Sequence, residues 1–133
     1  MGKLKSVFKE DTKWKTLFLS ILMMAVGYGL HKGIMDNYLA EIVGMTEFDR
    51  GATEFFRELP GFMLIFILAL FYKFSAEKMY KMGGFIMIVG MALISFMPPY
   101  KALVILSILL YSTGEHIQLG MKNTLSLEYS KEG

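Results

Sequence analysis

The chain has 133 residues, is 54% hydrophobic and 20% charged, and has a mean hydropathy of +0.45. Counting Gly in place of Tyr brings the apolar share to about 59%, against roughly 45–50% in a soluble domain, which excludes a disordered chain and makes lipid the expected solvent. There is no cysteine, which removes disulfide staples, thiol catalysis and cysteine-bound zinc, and a net charge of +2 gives no basis for nucleic-acid binding.

A helix needs about 20 residues to cross the hydrocarbon layer. Residues 1–15 form a basic segment with five lysines, in which Leu4, Val7, Phe8 and Trp14 suit an amphipathic stretch lying on an anionic leaflet; a basic tail without structure is the alternative. Trp14 between Lys13 and Lys15 reads as an interfacial anchor. Uncharged runs then occupy residues 16–30, 59–72, 82–100 and 102–114. Extended through their polar flanks, they predict four membrane spans over 16–39, 51–73, 80–98 and 101–125. Thr46 and Asp49 have capping-box spacing just ahead of the second span, and Pro98 and Pro99 part the third from the fourth. Three apolar runs follow the first, which a cleaved leader does not explain.

Topology follows from the basic flanks. Lys3, Lys5, Lys9, Lys13, Lys15, Lys73, Lys78, Lys81, Lys122 and Lys131 fall on one side, and Arg50 and Lys101 on the other. The positive-inside rule then puts both termini in the cytoplasm, in an inner or plasma membrane. The expected fold class is therefore all-α, a polytopic membrane protein of four helices with the lipid bilayer as its first partner.

Charged groups in hydrocarbon cost about 2.5–3.5 kcal/mol each on insertion scales, so their distribution is informative. Span one carries His31, Lys32, Asp36 and Asn37; span two carries Glu54, Arg57 and Glu58; span four carries Glu115, His116, Gln118, Lys122 and Asn123. Residues 82–98 of span three carry none. Spans one, two and four are thus expected to share a polar interior, with span three outside. At 1.5 Å per residue, Lys32 and Arg57 lie roughly 10 Å below the outer boundary and Glu115 about 20 Å below it. Lys32, Asp36, Glu54, Arg57 and Glu58 can form one charge cluster, in which Arg57 reaches Asp36 across helices. Glu115 and His116 form a second level, and two levels along one axis suit a path for a polar solute or protons. Structural readings stand beside these. Arg57 with Glu54 or Glu58 also suits a locking ion pair, Lys32 can snorkel outward, His116 can be a packing residue, and Asn37 and Gln118 can be interhelical hydrogen-bond glue.

Ala25, Gly29 and Gly33, four apart on one face, read as a helix-packing stripe, with a hinge as the sharper option. Pro60 leaves the Phe56 carbonyl without its usual donor and invites a kink beside Arg57 and Glu58. The 12 Met and 11 Phe read as packing or lipid-facing bulk. No GxxxxGK[ST], GxSxG or HExxH motif occurs and the two histidines lack metal-ligand spacing, so an enzyme, a metal site and a bound cofactor are not expected.

Three stretches carry a family resemblance: GYGLHKGIMDNYLAE at 27–41, RGATEFFRELPG at 50–61 and GEHIQLGMKNTLSLEYSKEG at 114–133. With them the chain resembles the first four helices of a major facilitator superfamily transporter. The loop around 72–83 keeps the basic character of the family's loop after span two but not its Gly and Asp. The resemblance implies spans one and four lining a central cavity, span two beside it and span three peripheral. It also implies a small-molecule solute moved by alternating access. Since members generally have twelve spans, the chain is expected to be a partial transporter, inactive alone, whose partners are the remaining helices. Two other readings remain: a complete four-helix homodimer resembling small multidrug-resistance exporters, and a non-transporting subunit of a membrane assembly.

Overall fold

A computed structural model describes residues 12–131. Its elements are α1 (Thr12–Asn37), a π-helical turn (Tyr38–Ile42), α2 (Glu47–Leu70), α3 (Ala76–Phe96) and α4 (Lys101–Lys131). The fold is all-α, with no strand among the described residues. Of the basic segment over 1–15, residues 1–11 lie outside the described residues, and residues 12–15 open α1.

Each boundary has a local cause. The π turn is closed by Val43 N–H donating to the Tyr38 carbonyl, and Gly44 follows with φ of 66°, a left-handed value that suits glycine. The capping box forms as its spacing predicts: Thr46 Oγ1 accepts from Asp49 N at 3.2 Å, and Asp49 Oδ2 accepts from Thr46 N at 3.0 Å. Ser75 caps α3, and the segment containing Pro98 and Pro99 separates α3 from α4.

Three helical stretches are long and apolar enough to cross a bilayer: Thr12–Ile42, Ala76–Phe96 and Lys101–Ser130. The second of the four expected spans is not among them, because every 18-residue stretch of α2 contains Glu54, Arg57 and Glu58. Its other half is apolar and faces outward, with Phe62 and Ile65 each 77% exposed. Such exposure is adverse in water and ordinary against acyl chains.

The most buried helix is α4, and its most extensive partner is α3. The seam between them is made by glycine. A Cβ on Gly90 would sit 2.6 Å from Tyr111 N, and one on Gly83 would sit 2.8 Å from the Gly114 carbonyl oxygen. Such approach maximises dispersion contacts where lipid removes the hydrophobic drive between helices. Helix α2 packs on α4 as well, and α1 touches it more sparsely.

Two apolar clusters tie α1 in. At one end Leu17 packs with Tyr80, Leu125 and Tyr129, and Trp14 Nε1 donates to the Tyr129 carbonyl at 3.0 Å. At the other, Leu39 and Met45 pack with Val104 and Ile108, and Lys101 Nζ meets Asp49 Oδ2 at 2.6 Å.

The expected packing stripe on α1 meets no neighbouring helix among the described residues. A Cβ at Gly29 or Gly33 would meet nothing within 4 Å, and Ala25 is exposed. The contacting face of α1 runs instead through Leu17, Met24, His31 and Leu39. The stripe sits one residue further round from Met24, about 100° away on a helix of 3.6 residues per turn. Helix α3, expected on the outside, packs against α4 while Phe85 and Ile88 on its other face stay exposed.

Candidate functional site

Arg57 is the hub where α2 meets α4. Its Nη2 lies 2.7 Å from Glu54 Oε2 and 2.6 Å from Glu58 Oε1, so it pairs within its own helix. Pro60 is buried one turn on and leaves the Phe56 carbonyl without an N–H from its own position. The Ser112 hydroxyl of α4 donates to the next carbonyl, that of Arg57. His116 stands one turn along from Ser112, with Nδ1 2.9 Å from the Ser112 carbonyl oxygen and Nε2 3.8 Å from Glu58 Oε2. Gly61 makes room for that ring, since a Cβ there would lie 2.7 Å from His116 Nε2. The result is a polar joint of Arg57, Glu58, Ser112 and His116, built across two helices.

Helix α1 reaches this level through His31, whose ring stacks on Tyr111 with centroids 4.2 Å apart. Lys32 and Asp36 do not join the joint. Both are exposed; Lys32 Nζ lies 5.9 Å from the centre of the Tyr28 ring, and no ion pair joins Asp36 among the described residues. The expected bridge from Arg57 to Asp36 is therefore absent, because Arg57 has two carboxylates closer at hand on α2.

Glu115 and Gln118 face the other way from His116. They are 7% and 5% exposed and line a cavity of about 300 Å³ between α1, α3 and α4. Gln118 Nε2 donates to the Tyr80 carbonyl at 3.0 Å. Gln118 Oε1 and Glu115 Oε2 are buried without hydrogen-bond partners. A second cavity of about 300 Å³ lies near the start of α1, beside Ser20, Glu77 and Tyr80.

Of the residues that sequence reasoning picks out, Glu115, His116 and Gln118 lie on two faces of α4, and Arg57 and Glu58 of α2 stand against the His116 face. Sequence reasoning missed Tyr80, Tyr111 and Ser112. Ser112 precedes His116 by four residues, a one-turn spacing that offered a signal, whereas nothing marks Tyr80 and Tyr111 among 7 tyrosines. Among the described residues, no group of three or more His, Asp or Glu side chains converges as a metal site. No family model, curated protein or solved structure matches the chain.

Proposed function

We propose that the chain forms one wall of the solute pathway of a secondary transporter in a cell membrane, in the manner of the first helices of a major facilitator superfamily carrier. Both termini face the cytoplasm in this reading, since Lys73, Lys78, Lys81 and Lys122 gather with Lys13 and Lys15 toward one end of the helices. Further helices complete the cavity and a small solute occupies it.

The observation that carries the reading is Glu115: a buried carboxylate, with one oxygen unpartnered, on a helix apolar enough to span a bilayer. A membrane protein retains so costly a group where it meets a solute, an ion or a proton. The adjacent joint of Arg57, Glu58 and His116 supplies charges that can exchange partners when helices rock, and the Ser112–Arg57 hydrogen bond couples such motion to the Pro60 region of α2.

The test is transport by the full-length product of the gene in membrane vesicles, screened with a panel of small solutes and a trapped pH-sensitive dye. Glu115→Gln and Arg57→Ala are each expected to lower the solute flux at least about tenfold at equal insertion, in line with the loss of a charge-assisted contact. Undiminished flux in both variants would overturn the reading.

A further inference from the structure

The cavity near the start of α1 is an amphipathic cleft at the lysine-rich end of the helices, walled by α1, α3 and α4. It holds about 300 Å³ and follows α1 from Thr12 to Ser20, roughly 12 Å. Its floor is buried and largely apolar, because Leu17, Tyr80, Leu125 and Tyr129 pack there as one cluster. Its rim is exposed and charged, with Lys13 from α1 and Glu77 and Lys81 from α3. Glu77 accepts the Tyr129 hydroxyl and lies in the field of both lysines. Two ammonium groups against one carboxylate leave the rim with a single net positive charge, carried on side chains that reach the surface.

Trp14 sets the depth of the cleft. It packs against the same cluster and donates Nε1 to the Tyr129 carbonyl at 3.0 Å. A tryptophan flanked by lysines sits at headgroup level, so the mouth of the cleft opens among lipid phosphates and its inner end, at Ser20, lies toward the acyl chains. We propose that the cleft seats the headgroup of a singly charged anionic phospholipid, its phosphate between Lys13 and Lys81 and its glycerol backbone against Leu17 and Leu125. Basic pockets between helices suit anionic lipid in this way, above all at the cytoplasmic face where such lipids gather. A zwitterionic headgroup brings no net charge to balance the rim, and a more highly charged one is opposed by Glu77. A free phosphate in water leaves the apolar floor uncovered. The inference goes beyond the carrier reading and does not depend on it, since it needs only that these helices lie in a bilayer.

The chain has one tryptophan, Trp14, so its fluorescence reports this site. The experiment measures quenching of Trp14 by brominated phosphatidylglycerol and by brominated phosphatidylcholine, at equal mole fractions, with the 133-residue chain in phosphatidylcholine nanodiscs. Phosphatidylglycerol is expected to be preferred roughly fivefold, the net effect of two cations and one carboxylate near the surface. Lys81→Gln is expected to bring the preference down to about one, whereas Lys73→Gln removes an equal charge outside the cleft and is expected to leave it intact. Thr16→Phe fills the cleft from α1 with every charge kept and is expected to abolish the preference with helix content unchanged, so the question is answered even if Lys81→Gln fails to fold. Soluble glycerol phosphate is expected not to relieve the quenching. Equal quenching by the two lipids, equal loss in the Lys73 and Lys81 variants, or an undiminished preference in Thr16→Phe would each overturn the site. Relief by glycerol phosphate would overturn the lipid as its occupant.

Discussion

A carboxyl oxygen buried without a partner forfeits about 1–3 kcal/mol, more when charged, so Glu115 is a place where stability is set aside. Glu115→Met keeps the volume and removes the polar atoms. It is expected to raise the unfolding free energy of the chain in mixed micelles by about 1–3 kcal/mol; a loss of stability would mean that the carboxylate has a structural partner. Asp49 is the opposite case. The Lys101 ammonium hydrogen-bonds it, the Thr46 backbone and hydroxyl add to this, and together they hold its carboxyl down to about 2. Because the folded value lies below the unfolded one of 3.8, the tie between the starts of α2 and α4 contributes fully above that value and is lost as pH falls through about 2. A carbon-13 titration of Asp49 is expected to show its midpoint near 2, moving up toward the ordinary carboxylate range in Lys101→Met. An ordinary midpoint in the unmodified chain would mean the tie is not made.

Glycine contacts divide the helices into those that need their small residues and those that do not. Gly90→Ala drives a methyl against the backbone of Tyr111 and is expected to destabilise the α3–α4 pair by about 1–3 kcal/mol, read as the shift in an equilibrium unfolding curve. Gly29→Ala meets open space and gains helix propensity, so its expected effect runs from neutral to about 1 kcal/mol stabilising. Equal effects at the two positions would contradict the assignment of the seam. The contrast also marks where sequence reasoning stopped. Helix existence was legible, because runs of apolar residues bounded by Thr46, by Pro98 and Pro99 and by lysines have few other solutions. Partner choice was not. Glycines recur on both α1 and α3, and nothing in one chain's sequence says which set meets a neighbour. The polar residues were legible as a group, because charges in apolar helices stand out. Their division was not: adjacency of Glu115 and His116 puts them on different faces, but which helix covers each face is a tertiary fact.

Across the whole molecule, apolar side chains such as Phe62, Ile65 and Phe85 cover the outside, while Ser112, Glu115, His116 and Gln118 of α4 turn toward α1, α2 and α3. Helix α1 is held mainly at its two ends, by Trp14 and Leu17 and by Leu39, with the His31–Tyr111 stack between them. That spacing leaves room along its middle for the cavity beside Glu115. The central physical claim is that water, not lipid, reaches the joint of Glu58 and His116 between α2 and α4. The absence of native cysteine makes this directly measurable. Single cysteines at positions 58 and 116, and at the outward-facing Phe66 and Ile88, would be exposed in membranes to a water-soluble maleimide, which reacts with the thiolate that forms only where water reaches. Labelling is expected at 58 and 116 and not at 66 or 88. Labelling at 66 and 88 with none at 58 and 116 would contradict a wet interior and, with it, the proposed carrier.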